Sequence, residues 1–309
     1  MGDDMDFRLH LEPDETQADM YENVEYHNFW EGVERRHLDR LEQVLIRRML
    51  KLPARRLVDI GCGFGRLANI YLDKCQEVVM VDSSWSQLQQ ARETTGGRCT
   101  YIASNATRLP LRPGSFDRAL LIRVFHHIPM DQAESSLDEL ARILCGGGQL
   151  LFTYSNKRNL ERIVKWLMRK LPYNPFDPST AYIWEAFTMQ HPKAIRRGLI
   201  ERGFDHFDLR GSGIMDKIAG RAGGLWKRVP LGVGLAPLFG RLSLAPWIFV
   251  GGEKTDTGAD GTDTADLPEA YLQCPACSGD LTSLPESYQC QDCGRGYPIR
   301  DGIIDFRTG

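Results

Sequence analysis

Short β-type runs alternate with helical segments through the first 250 residues, and this alternation limits the fold more than any other feature. Between the runs lie segments with helical spacing, such as WSQLQQARE and AESSLDELARIL. Strands that alternate with helices favour a parallel sheet covered on both faces. Two later runs, 207–213 and 246–252, are expected to close the sheet at one edge. The five earlier runs are residues 56–60, 77–82, 99–103, 117–123 and 148–154.

The charge is distributed unevenly, although the chain as a whole has a formal net charge of only -3. Residues 1–25 carry nine acidic residues and one arginine, and residues 251–309 carry eleven acidic and four basic residues. Residues 157–230 carry fifteen basic residues against seven acidic ones. The overall balance argues against a protein that coats nucleic acid by bulk electrostatics.

The sequence predicts neither a signal peptide nor a transmembrane segment. Its first residues lack a cationic start followed by an apolar run, and its most apolar stretch, 229–252, is interrupted by proline, arginine and glycine. Four scattered cysteines, Cys62, Cys75, Cys99 and Cys145, are typical of reduced thiols. We therefore expect a cytoplasmic protein.

A glycine-rich loop follows the first β-type run directly. The run ends in Asp59-Ile60, and the loop Gly61-Cys62-Gly63-Phe64-Gly65 leads into a helical segment. Glycines allow the backbone to turn sharply and to approach a ligand closely. Asp82 ends the second run, where a carboxylate can accept hydrogen bonds from both hydroxyls of a ribose. A tight turn without a ligand is the alternative, but the strand, helix and acid together favour a nucleotide site.

The loop has G-x-G-x-G spacing with an acid two residues upstream, and it resembles class I S-adenosylmethionine-dependent methyltransferases with a type 11-like domain. The likeness covers about residues 20–254, because VDSSWSQLQQAR, SNATRLPLRPGSFDRALLIRVFHHI and LARILCGGGQLLF resemble the later motifs in order. It implies an α/β fold with a doubly wound, seven-stranded Rossmann-like sheet in a domain spanning 51–250. It also implies S-adenosyl-L-methionine as the cofactor.

The resemblance assigns cofactor contacts residue by residue. The acid and glycines of the loop would lie along the methionine moiety, Asp82 at the ribose, and residues of the next two motifs at the adenine. Asn105 stands where the family has aspartate, and a neutral acceptor implies slightly weaker binding. The expected cofactor-binding residues are Asp59, Gly61, Cys62, Gly63, Gly65, Asp82, Ser83, Gln87, Asn105, Ala106 and Arg123.

Methyl transfer from a sulfonium mainly requires that the acceptor is aligned and that water is excluded. A base helps if the acceptor is a hydroxyl or an amine. His126 and His127 follow the fourth β-type run, and Tyr154 ends the fifth, so these three are the candidate catalytic residues. The alternative is that the histidines cap a helix or pack below the cofactor, and that Tyr154 is a wall residue.

Segments around this core are expected to cover the cofactor and the acceptor. Residues 1–50 would form a helical cofactor-covering segment, and 155–205 with 212–245 a substrate lid. Residues 158–171 have an apolar stripe with basic neighbours, which is typical of a helix that packs on its own domain or, alternatively, contacts a membrane surface. The Gly- and Leu-rich residues 224–242 are expected to line an apolar pocket.

The last 39 residues, 271–309, follow an acidic flexible linker at 251–270. CPAC and CQDC, separated by twelve residues, predict a tetrahedral zinc site formed by Cys274, Cys277, Cys290 and Cys293. The segment YPIRDGI that follows makes residues 271–307 resemble the small zinc-ribbon activator subunit of tRNA, ribosome and release-factor methyltransferases. That resemblance implies a built-in stabiliser that adds a strand edge and apolar cover.

Three hypotheses about function follow. The first is a methyltransferase that acts on O, N or C of an apolar or lipidic small molecule, with a structural zinc ribbon. The second is an RNA or protein methyltransferase in which the ribbon helps to seat a macromolecule, as the basic middle segment would favour. The third is a cofactor-binding scaffold without chemistry, which the intact loop and Asp82 argue against.

Overall fold

The computed structural model describes residue 30 and residues 33–184, 187–214, 229–255 and 268–307. The helices are α1 (Val33–Met49), α2 (Ala68–Tyr71), α3 (Trp85–Thr95), α4 (Ala133–Ile143), α5 (Leu160–Leu167), α6 (Pro192–Glu201) and α7 (Val229–Arg241). Strands of the first 255 residues are β1 (Ala54–Ile60), β2 (Cys75–Asp82), β3 (Thr100–Ala103), β4 (Phe116–Leu121), β5 (Leu144–Ser155), β6 (Ala181–Trp184), β7 (Phe187–Met189), β8 (Phe204–Ser212) and β9 (Trp247–Lys254). The C-terminal strands are β10 (Leu281–Leu284), β11 (Ser287–Cys290), β12 (Gly296–Arg300) and β13 (Ile303–Asp305).

Seven strands form the predicted doubly wound sheet, in the order β3-β2-β1-β4-β5-β9-β8. The first five are parallel, whereas β9 pairs antiparallel with β5 and with β8. All seven predicted β-type runs become strands of this sheet, with boundaries that shift by a few residues. The fold expectation is therefore confirmed, and the two later runs close one edge as expected.

Both faces of the sheet are covered, and the buried later parts of β1, β2 and β4 are accordingly mainly apolar. On one face, α1 and α2 pack against side chains such as Leu57 and Met80. On the other face, α4 and α6 pack against side chains such as Val58 and Val79. The sheet is thus a rigid central layer. The loops that follow β1, β2 and β4 all lie at the carboxyl end of its parallel strands.

The C-terminal module (residues 268–307) continues the sheet at its other edge. β13 pairs in parallel with β3, and β12, β11 and β10 follow, so the described strands form a sheet of eleven. Tyr271 packs on Phe116 with ring centroids 5.8 Å apart, and its hydroxyl lies 2.8 Å from Thr100 Oγ1. Arg112 forms an ion pair with Asp280 at 2.7 Å. The module and the main sheet therefore share one apolar core.

The boundaries predicted from the sequence need two changes. β9 extends the main sheet to Lys254, beyond the predicted domain end at 250. The linker expected at 251–270 is shorter, because residues 251–254 are strand and Pro268–Ala270 already form a 3-10 turn of the module. Residues 256–267 lie outside the described part of the chain, as do Tyr21, Tyr26, His27 and Phe29 of the predicted covering segment. Among the described helices, none is long and apolar enough to cross a membrane.

The segment expected to line an apolar pocket takes a different position where it is described. α7 lies against β8 and α1, with Val233 and Ala236 buried. The approach to β8 is so close that a Cβ on Gly240 would lie 2.4 Å from the carbonyl oxygen of Leu209. Val233, Ala236 and Gly240 therefore serve helix packing rather than a pocket, and none of residues 232–241 lines the cavity described below.

Candidate active site

The loop after β1 adopts a conformation that requires glycine. Gly61, Gly63 and Gly65 have φ angles of 67°, 53° and 80°, a region that L side chains rarely adopt. A Cβ on Gly61 would lie 2.1 Å from Cγ2 of Val124, which follows β4. The loop is therefore pressed against the end of the neighbouring strand, and its backbone is exposed toward the cavity beside it.

Asp82 fixes this loop from the tip of β2. One carboxylate oxygen accepts from the backbone N–H of Gly63 at 2.8 Å, and the other accepts from the N–H of Ser84 at 2.9 Å. Ser84 in turn caps α3, since its side chain accepts from Gln87 N at 3.3 Å. The carboxylate is thus held at the position predicted for a ribose contact.

A cavity of about 480 Å³ lies at the carboxyl end of the parallel strands. Its volume is within the range of small-molecule sites. Of the expected cofactor-binding residues, only Gly65 does not line it; Gly65 instead packs against Ala91 of α3. The lining includes Asp59, Gly61, Cys62, Gly63, Asp82, Ser83, Gln87, Asn105, Ala106 and Arg123.

Asp59 is buried at the bottom of the cavity, where the hydroxyl of Tyr71 donates a hydrogen bond to it at 2.6 Å. Burial raises the pKa of this carboxyl to about 7, although the Tyr71 hydrogen bond and nearby Arg66 oppose the rise. The group therefore changes its charge near neutral pH. A cationic ligand beside it would favour the ionised form.

Asn105 makes a contact that the sequence did not reveal. Its side-chain oxygen accepts from both the backbone N–H and the hydroxyl of Thr107, each at 3.0 Å. These two bonds use both lone pairs of the amide oxygen. The adenine contact implied by the family therefore competes with a local turn at this position.

Glu42 is a site residue that sequence reasoning missed. It is completely buried on α1, and it pairs with Arg66 (3.2 Å) and with Arg123 (Nε to Oε1, 2.9 Å), two residues that line the cavity. The Arg123 guanidinium also lies 3.7 Å from the ring centre of Trp247. The sequence feature that could have revealed Glu42 is its position as an acidic residue on the apolar face of α1, one turn before Leu45 and Ile46.

The two candidate histidines stack on each other with ring centroids 3.9 Å apart, in a 3-10 turn after β4. His127 lines the cavity, whereas His126 lies behind it between Phe187 and Trp247. Burial, reinforced by the positive charge of Arg123, lowers the pKa of His127 to about 3. Burial likewise lowers the pKa of His126. Both imidazoles are neutral at pH 7, and His127 is a hydrogen-bond acceptor but a weak base.

Tyr154, the third candidate, is buried in the core beside Phe152 and does not line the cavity. Burial raises the pKa of its hydroxyl above the ordinary value. The structure brings His127 to the cofactor cavity but neither His126 nor Tyr154. This placement favours a structural role for Tyr154 over a role as a catalytic base.

The C-terminal module reaches the cavity rim through Arg307. The guanidinium is held by Asp305 in two parallel contacts, at 3.0 and 3.1 Å, and donates to the carbonyl oxygen of Ser83 at 3.1 Å. It also lies 5.5 Å from the ring centre of Trp85. One end of the module is thus fixed to the residue that follows Asp82.

The four module cysteines converge as the sequence predicts. Their Sγ atoms all lie within 4.8 Å of one another, and two pairs are 3.7 Å (Cys274–Cys293) and 3.4 Å (Cys277–Cys290) apart. The Tyr297 hydroxyl lies 3.0 Å from Cys274 Sγ. This arrangement is compatible with a four-thiolate metal site.

Comparison with known families agrees with this geometry, because the profile of the family described as "Methyltransferase domain" matches residues 58–152, from β1 to β5. Over these residues the chain is similar to a methyltransferase domain. A malonyl-[acyl-carrier protein] O-methyltransferase of Erwinia pyrifoliae is 31% identical over 129 residues, which are 40% of this chain and 47% of that protein. An O-methyltransferase of Aspergillus nomiae is 28% identical over 134 residues, 40% of this chain and 58% of its own length. The chain thus spans about half the length of these curated relatives.

Two solved structures share the fold of this chain. The magnesium protoporphyrin IX methyltransferase of Synechocystis, with bound S-adenosylhomocysteine, has a TM-score of 0.50 at 13% identity and covers 77% of this chain and 97% of its own. A complex of the Haloferax volcanii Trm112 methyltransferase activator with a methyltransferase has a TM-score of 0.50 at 17% identity, with coverage of 74% and 97%. At these identities the likeness concerns the fold alone.

Proposed function

We propose that the chain transfers the methyl group of S-adenosylmethionine to O, N or C of an apolar or lipidic small molecule. The observation that carries the proposal is the joint placement of the glycine loop, Asp59 and Asp82 around one cavity of a methyltransferase domain. Relatives named as O-methyltransferases support oxygen as the acceptor atom.

The donor set of the cavity fits this cofactor. Asp82 presents a fixed carboxylate to a diol, and Asp59 presents a second carboxyl to the cationic methionine end. S-adenosylmethionine supplies, when bound, a methyl group on a sulfonium. Two acidic side chains match a ligand that carries positive charge, because the two arginines that line the same cavity, Arg66 and Arg123, are paired with Glu42.

The residues on the far wall suit an apolar acceptor. Val124, Ile128 and Pro129 line the cavity beside neutral His127. Their side chains exclude water from the reacting groups, while His127 accepts a hydrogen bond that orients the acceptor. Because its pKa is so low, His127 contributes through positioning more than through proton removal.

The function is tested with radiolabelled S-adenosylmethionine incubated with small-molecule, RNA and protein fractions of a cell extract, with Asp82→Ala as the inactive control. Label that appears in organic-soluble small molecules only with the wild type supports the proposal. Label in RNA or protein would overturn the substrate class and favour the second hypothesis, for which the basic segment 157–230 is the supporting observation. Absence of label from every fraction would contradict the proposal that the chain is a methyltransferase.

We also propose that the C-terminal module binds one structural zinc ion and stabilises the methyltransferase domain. A tetrahedral zinc site with Zn–S bonds of about 2.3 Å has S–S separations of about 3.8 Å, close to those of the cysteine cluster. The module has too few residues to fold around its own core. Its metal would therefore stabilise β13 on β3 and the apolar core that they share.

The zinc proposal is tested by replacing Cys290 and Cys293 with serine and measuring bound metal and the melting temperature. The control is Cys75→Ser, a half-buried thiol of β2 outside the cluster. We expect the double variant to lose zinc and to melt at least about 5 °C lower, because loss of a metal site costs several kcal/mol. A wild type that contains no metal, or a variant of unchanged stability, would contradict the proposal.

A further inference from the structure

Helix α5 exposes its apolar side to solvent. None of its eight residues is buried. Leu160, Val164 and Leu167 are 45%, 45% and 68% exposed, and Met168, which follows the helix, is 55% exposed. Positions i, i+4, i+7 and i+8 lie on one helical face. The sequence favoured packing of this stripe on its own domain, and the structure contradicts that expectation for these four residues.

The segment is anchored, so its exposure does not result from a loose attachment. Asn159 caps α5 by accepting from Arg162 N at 3.1 Å, and the N–H of Leu160 donates to the carbonyl oxygen of Leu244 at 2.9 Å. Three residues before the helix, buried Lys157 donates to the carbonyl oxygens of Asp177 (3.0 Å) and Ser179 (2.8 Å), which follow the helix in the chain. The start of α5 is therefore held by specific contacts, and the chain after the helix is tied back to the residue that precedes it.

Two more exposed apolar side chains lie near the end of α7, shortly before the loop that binds the start of α5. Leu238 and Leu242, at the end of α7, are 52% and 50% exposed, and Leu242 lies two residues from the Leu244 carbonyl that binds the start of α5. We name the four α5-face residues together with these two leucines the outer apolar surface.

Basic residues predominate in the sequence on either side of the residues of the outer apolar surface. Residues 158–176 contain five basic residues and one acidic residue, Glu161, which pairs with Lys165 at 2.7 Å. Arg241, beside Leu242, is also exposed. The basic residues of the segment are Arg158, Arg162, Lys165, Arg169 and Lys170.

We propose that the outer apolar surface rests on an anionic lipid membrane. Apolar side chains flanked by Lys and Arg enter the boundary between acyl chains and head groups, while their cationic neighbours attract anionic lipid. A second copy of the chain is disfavoured, because a two-fold contact would bring the two cationic rims together.

This placement also concerns the acceptor. α5 follows β5 in the chain. The carboxyl end of β5 lies on the same side of the sheet as the loops that form the cofactor cavity. A membrane-bound surface beside that edge would supply a lipidic acceptor from the bilayer. This last step rests on the proposed function, whereas membrane binding itself does not.

The test is co-sedimentation of the full chain with vesicles of phosphatidylcholine alone and of phosphatidylcholine mixed with phosphatidylglycerol. We expect binding to the anionic vesicles that weakens as salt is raised. The variant Leu167→Ser/Met168→Ser should weaken it at least about tenfold, since each side chain loses apolar burial. The control Ile200→Ser/Leu284→Ser changes two residues of similar exposure (49% and 42%) elsewhere and should bind as the wild type does.

Failure of the wild type to bind anionic vesicles, or equal binding by the Leu167→Ser/Met168→Ser variant, would overturn the proposal. So would a concentration-dependent dimer in analytical ultracentrifugation that this variant abolishes, since a second copy would then cover the surface. Titration with S-adenosylmethionine is run in parallel on the same variant. Unchanged cofactor affinity separates loss of membrane binding from failure of the methyltransferase site.

Discussion

The carboxyl of Asp59 should make cofactor binding depend on pH near neutrality. Burial raises its pKa to about 7, and the cationic methionine end of S-adenosylmethionine binds more tightly when this group is ionised. With such a pKa, the ionised fraction rises from about one-tenth at pH 6 to about one-half at pH 7. The dissociation constant should therefore fall roughly fivefold over this interval, which ends below the ordinary pKa of about 7.7 to 8.0 of the ligand's α-amino group.

Isothermal titration calorimetry at several pH values measures this dependence, and two buffers of different ionisation enthalpy reveal the proton released on binding. Asp59→Asn is the matched control, because its amide oxygen still accepts from Tyr71 but does not titrate. Its affinity should be flat from pH 6 to pH 7. A flat wild-type profile, or an equal slope in the variant, would show that Asp59 does not control cofactor binding in this range.

The same shift has a consequence for stability. The pKa of Asp59 is 3.8 in the unfolded chain and about 7 in the folded one, so the folded state retains this proton over the interval between them. The contribution of this group to the free energy of unfolding is fully present below pH 4 and is lost as pH rises through 7. The loss is about 4 kcal/mol at most. Asp59→Asn should consequently raise the melting temperature at pH 8 and leave it nearly unchanged at pH 4.

Three further substitutions test the rim of the cavity, each by calorimetric titration with S-adenosylmethionine. Gly61→Ala should abolish measurable binding, because the new methyl would lie 2.1 Å from a valine methyl and φ is 67°; near-normal affinity would show that the loop adapts. Asn105→Asp should strengthen binding several-fold, since one carboxylate oxygen can accept from Thr107 and the other from the adenine amino group; weaker binding would contradict this. Arg307→Ala should weaken binding about two- to fivefold through loss of the Ser83 contact, whereas the exposed-site control Arg295→Ala should not.

Local sequence signals were sufficient for much of the fold and the cofactor loop. Glycines at three alternate positions after an apolar run, followed by Asp82 at the end of the next run, are signals within about 25 residues. Strand formation by the seven runs likewise follows from composition and length. For this reason, the order of elements and ten of the eleven expected cofactor residues agree with the cavity that the structure forms.

Contacts between distant residues could not be predicted in this way. Glu42 and Arg123 are 81 residues apart, and Arg307 and Ser83 are 224 apart, so neither pairing leaves a local pattern. The stripe at 160–168 illustrates a second limit. Periodicity shows which residues share a helical face, but the direction of that face depends on how the helix is attached at Asn159 and Leu160.

The C-terminal module also covers the open edge of β3. The sequence suggested this role only through the resemblance of the module to an activator subunit. An open edge strand exposes unpaired N–H and C=O groups that favour aggregation. β13 pairs with those of β3, and Phe306 N donates to Ala103 O at 2.9 Å. The module thus covers the edge nearest to the residues around the predicted adenine position.

The most direct test of the account is stoichiometric binding of S-adenosylmethionine to the purified chain, compared between wild type and Asp82→Ala. The exposed acidic residue Asp73, replaced by alanine, is the charge-matched control. We predict one cofactor per chain, roughly hundredfold weaker binding by Asp82→Ala, and wild-type affinity for Asp73→Ala. A wild type that does not bind S-adenosylmethionine, or an Asp82→Ala variant that binds it equally well, would show that this cavity is not the cofactor site.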